Sequence, residues 1–156
     1  MVNMLNLIYM TREEFEQLIV EEFPRAVPER FHPLLQNIAF LVDDEAPDKD
    51  LLGLYQGISH VDRGSYYGVG ATLPDTITLY QKTIEEHAGE MMERSQKGQM
   101  EGKTWPSGPE RAPDDLFDSA VRQVIRETIW HEVAHAFGFD EDQVQHREDT
   151  RPNGTL

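Results

Sequence analysis

Apolar residues along the chain gather in blocks whose spacing alternates between helical and strand-like. Phe15, Leu18, Ile19 and Phe23 recur at three- and four-residue intervals and so share one face of a helix. Thr11 followed by Glu14 forms a capping-box pattern, and Pro24 closes the run, which predicts a first helix from Thr11 to about Glu22. Arg25 to Pro33 is mixed, with a short helical turn expected around Pro28 to His32. Ile38 to Val42 is a compact apolar run whose length and branching favour a buried strand. Leu51 to Gln56 is a second short strand candidate, closed by Gly57. Thr76 to Tyr80 alternates polar and apolar residues, the pattern expected of a half-exposed strand at a sheet edge.

The connecting segments read differently. Met1 to Met10 is apolar but short, and is expected to be a first strand or a tail; Met10, just before the capped helix, is an alternative start. Ile58 to Leu73 is rich in Gly and Tyr and reads as a surface loop. Lys82 to about Arg94 has weak helical anchors in Ile84, Met91 and Met92. Ser95 to Pro113 carries repeated glycine and proline and reads as a flexible insertion anchored only by Trp105. No repeat or second apolar core is visible, so residues 1–156 are expected to form a single domain.

The longest pattern starts at Asp114 or Asp115 and runs to Phe137 without Gly or Pro until Gly138. Leu116, Phe117, Ala120, Val121, Val124 and Ile125 make one face, and on the same wheel His131 and His135 fall mid-arc with Glu132 on the flank. Beyond Thr128 the arc widens through Ile129, Trp130, Val133, Ala136 and Phe137, as in a helix entering the interior. That end carries His-Glu-x-x-His. Residues four apart share a face, so His131 and His135 can direct ring nitrogens at one ion. Glu132, between them, is the expected general base that takes a proton from an activated water. A lone buried histidine is ordinarily a hydrogen-bonded core residue, but two at this spacing with a carboxylate between them favour a metal.

Composition then restricts the chemistry. With no cysteine, thiolate sites, disulfides and thiol nucleophiles are excluded, and the metal must be held by His, Asp or Glu. Two imidazoles and a carboxylate are a common hydrolytic zinc set, so one Zn²⁺ per chain is expected. Gly138 can turn the chain back after the helix, which brings Glu141 forward as third ligand. Asp140, Asp142, His146 and Glu148 are the alternatives, and Asp140 also suits the cap of a terminal helix. A net charge of −15, from 29 acidic and 14 basic residues, argues against nucleic acid and anionic membranes as partners. The expected location is cytoplasmic, and an oligomer is not indicated.

With these residues the chain resembles the zincin superfamily of metallopeptidases, in particular the small bacterial minimal zincins. Beyond the metal motif the resemblance rests on Phe40 to Asp44, Leu52 to Gly57 and Leu73 to Tyr80, and it covers roughly Thr11 to Arg147. It implies an α+β fold with a small mixed sheet packed against the long active-site helix, flanked by an N-terminal helix and a short C-terminal helix. It also implies hydrolysis of peptide or protein substrates, paired in extended form with an edge strand at Thr76, Ile77 and Thr78. There are two departures: no methionine follows Met100, and only 15 residues follow Glu141. The cleft is therefore expected to be shallow, or to be completed by the Gly/Tyr-rich loop, the Ser95 to Pro113 insertion or a second subunit, which keeps a non-catalytic, metal-containing peptide-binding module as the alternative. Tyr66, Tyr67, His60 and Arg63 are the candidates for stabilising an oxyanion.

Overall fold

The structure is a computed structural model that describes residues 10–57, 73–100 and 113–149. The expectations for Met1 to Val2 and onward to Tyr9, for residues 58–72 and for 101–112 lie outside these segments, including Tyr66, Tyr67, His60, Arg63 and Trp105.

Helix α1 spans Arg12–Ala26 and is opened by the capping box: Thr11 N–H donates to the Glu14 carboxylate at 2.8 Å and Glu14 N–H to the Thr11 hydroxyl at 3.2 Å. Contrary to expectation, Pro24 does not stop it. Pro24 and Val20 lie on the exposed side of the last turns, where the lost hydrogen bond opens to water, and Val27 N–H still reaches Phe23 O at 3.0 Å. A 3₁₀ segment, Glu29–Leu35, follows where a short helical turn was expected, slightly longer than its estimate.

Three strands form a mixed sheet: β1 (Ile38–Asp43), β2 (Gly53–Gln56) and β3 (Asp75–Tyr80), in the order β1-β3-β2. β1 runs parallel and β2 antiparallel to β3. This reverses the edge position expected for Thr76 to Tyr80 and the burial expected for Ile38 to Val42. Thr76, Ile77 and Thr78 lie in the central strand, paired on both sides, and so offer no free edge to a peptide. The apolar run Ile38 to Val42 is an edge strand, with Leu41 49% exposed. The reason is that alternation along a strand reports which faces are buried, not which neighbours it has.

Two further helices complete the sheet's cover. α2 spans Gln81–Met100, six residues further than its apolar anchors suggested. Glu90 pairs with Arg94 at 3.3 Å, and the Ser95 hydroxyl donates to Met91 O at 2.9 Å, so polar contacts within the helix carry it past Arg94. α3 spans Pro113–Ala136, with proline at the first helical position, where its missing N–H costs nothing. A short α4, Glu141–Asp149, follows. Phe15, Leu18 and Ile19 of α1, Ile77 and Leu79 of β3, Ile84 and Ala88 of α2, and Val121, Ile125, Ile129 and Val133 of α3 share one core. The architecture is α+β, a small mixed sheet against a long central helix.

β2 approaches α3 closely because residue 53 has no side chain. A Cβ there would stand 2.7 Å from Thr128 Cγ2 and 3.1 Å from Glu132 Cγ. Gly53 thereby sets the distance between the sheet and the helix that carries the metal motif.

Candidate metal centre

The end of α3 is stopped by a Schellman turn. Gly138 adopts φ 87°, its N–H bonds His135 O at 2.8 Å, and Phe139 N–H bonds Ala134 O at 3.1 Å. The reversed chain then starts α4, capped by Asp140, whose carboxylate accepts from Gln143 N–H at 2.9 Å. Asp140 is therefore engaged as a cap. Glu141, one residue on, faces back to the two histidines.

His131 Nε2 lies 3.4 Å and His135 Nε2 3.2 Å from Glu141 Oε1. Ligand atoms of these three residues all fall within 4.8 Å of one another, the one such group among the described residues. Tetrahedral zinc with bonds of about 2.0–2.2 Å spaces its donors roughly 3.3–3.6 Å apart, and the two separations from Glu141 are close to that spacing. His135 Nδ1 also lies 3.0 Å from Phe139 O. As a donor to that carbonyl, Nδ1 carries the proton and Nε2 keeps its lone pair for a metal. His146 and Asp142 are not part of the group, and the Glu148 side chain lies outside the described set.

Burial differs from the expected order. The helical wheel puts the histidines mid-arc and Glu132 at the flank, yet Glu132 is the buried one, at 7% exposure, and both histidines are half-buried. The wheel misses the approach of β2, which closes over Glu132. Leu52 O accepts from Tyr80 N–H at 3.0 Å, so Leu52, Leu54 and Gln56 direct their backbone groups at β3. Gly53 and Tyr55 direct theirs to the opposite edge, where Tyr55 N–H donates to Glu132 Oε2 at 2.7 Å. Burial pushes the Glu132 carboxyl above its ordinary pKa; the Tyr55 bond and the two histidines counter this in part, and Glu141 adds to the rise. This contact from Tyr55 to Glu132 is one that the motif did not announce. The Tyr55 hydroxyl is tied to Asp75 at 2.8 Å, which holds β2 against β3.

The sequence matches the family model of the zincin-like metallopeptidases over residues 35–97 and 116–150, well over half of its length. The chain belongs to this family. Its zincin-like character implies a zinc cofactor and peptide or protein substrates, and the mixed sheet on a long helix agrees with that fold. No curated protein matches the chain. The matched segments of the zincin-like family contain all of β1, β2, β3, α4 and the metal end of α3.

Proposed function

We propose that the protein is a zinc-dependent peptidase in which His131, His135 and Glu141 hold the ion and Glu132 is the general base. The observation that carries this reading is the pairing of a convergent His-His-Glu donor set with a buried carboxylate one residue from the first histidine. Zinc supplies Lewis acidity, polarising the scissile carbonyl and acidifying the attacking water. Tyr55 N–H fixes Oε2 of Glu132, so Oε1 is the oxygen that takes the water's proton and delivers it to the departing amine.

A binding module with a structural metal calls for a fourth protein donor. Among the described residues three converge, which favours the enzyme by leaving a position for water. Purified protein should contain about one zinc per chain; chelation should abolish cleavage of a peptide library, and zinc should restore it. Glu132→Gln should lower kcat by at least about 100-fold with the zinc content unchanged. Undiminished cleavage by that variant would refute the assigned mechanism.

A further inference from the structure

Beside the metal ligands a cleft of about 300 Å³ opens between α2, α3 and the entry to β2. Its walls are of two kinds. Leu51, Leu52 and Val124 line it as apolar residues, and Asp50 and Glu127, both exposed, add carboxylates, that of Glu127 accepting from the Gln123 amide at 2.9 Å on one oxygen. His131 and Glu132 also line it, and among the described residues Glu132 has a hydrogen bond on Oε2 only. Among the described residues that line it there is no lysine or arginine. His87 is the one imidazole apart from His131.

We propose that this cleft is a specificity pocket that receives a lysine or arginine side chain of the peptide, next to the bond that is cut. The inference rests on the peptidase reading and names the substrate class for that site. The volume is at the low end for small-molecule sites and suits one long side chain. An aliphatic stem lies on the leucines and valine while its cationic head reaches the carboxylates, the way Lys and Arg side chains divide between apolar surface and water. A second metal is a poorer occupant, because Asp50 and Glu127 do not converge with any third donor among the described residues. An acidic side chain would meet two like charges, which cost affinity at such short range.

Two measurements on the zinc-loaded protein test this, both at a pH above the imidazole range. The first is cleavage of a peptide library, in which bonds beside Lys or Arg should be cut at least tenfold faster than those beside Leu or Glu. The second is the affinity of short peptide hydroxamates carrying Lys, Leu or Glu, which bind the metal whether or not cleavage occurs. The Lys compound should bind at least tenfold more tightly than the Glu compound, and the double substitution Asp50→Lys with Glu127→Lys should reverse that order. Cleavage without basic preference removes the pocket and leaves the peptidase standing. Absence of cleavage with the hydroxamate order intact removes the peptidase and leaves the pocket. Equal hydroxamate affinities, or an order unmoved by the charge reversal, overturn the pocket in either case.

Discussion

Two buried glutamates on or against α3 are treated in opposite ways by the fold. Glu22, on α1, is fully buried, and its carboxylate meets Arg25 at 2.9 Å, Arg122 at 3.2 Å and Arg126 at 3.0 Å. Glu132, two turns along α3 from Arg126, is almost as buried and receives one backbone N–H. The first charge is surrounded by cations and serves to lock α1 onto α3. The second is desolvated without matching compensation, which raises its proton affinity. A fold that supplies three arginines to one carboxylate and a single amide to the other is spending stability at the second site, the usual mark of a chemical role.

The contrast can be broken by substitution. Glu22→Gln removes the charge that three guanidinium groups share and should destabilise the protein by about 3 kcal/mol in urea unfolding. A loss below about 1 kcal/mol would mean that the arginines are solvated well enough without it. Glu132→Gln in metal-free protein should have the opposite tendency, within about 1 kcal/mol of neutral or on the stabilising side, because the amide retains an acceptor for Tyr55 N–H and no longer buries a charge. Equal costs for the two substitutions would erase the distinction.

Glu85 sharpens the comparison as an intermediate case. It is buried on α2 and accepts from Met10 N–H at 3.1 Å and the Gln81 amide at 3.0 Å, with burial as the leading cause of a raised pKa. A carboxyl whose folded pKa exceeds its unfolded value adds stability that is fully present below the unfolded pKa and lost as pH rises through the folded one. The difference in stability between wild type and Glu85→Gln should therefore move in favour of the variant as pH rises from the acid side to neutrality, by roughly 1 kcal/mol or less. A pH-independent difference would place Glu85 with the compensated carboxylates.

Much of the site was legible because its chemistry is local in sequence. His131, Glu132, His135, Gly138 and Glu141 follow from helix periodicity, a left-handed stop and ligand types, and the turn geometry brings them together. What stayed hidden depended on tertiary neighbours. The burial of Glu132 and its contact with Tyr55 arise from β2 lying across α3, with Tyr55 77 residues before Glu132 in the chain. One signal was available: Gly53 interrupts the apolar run Leu51 to Leu54, and an isolated glycine in a strand often marks a close approach. The lateral order of the strands left no such trace, since Thr76 to Tyr80 has the same alternation in the centre of a sheet as at its rim. The helices were legible in kind, and their lengths were not. Pro24 is tolerated on a solvent-facing turn and polar contacts prolong α2, effects that apolar spacing does not register.

On the proposed peptidase reading, the Schellman turn at Gly138 bears on how the site would be assembled. It closes the three donors within one short stretch of chain, so the entropy of bringing them together is that of a ten-residue loop already bent by the helix end. On the proposed reading, chelation would be encoded locally, whereas Glu132 is held by Tyr55 only when β2 has docked. Metal capture and catalytic competence would then be separable events, the first needing the helix end alone.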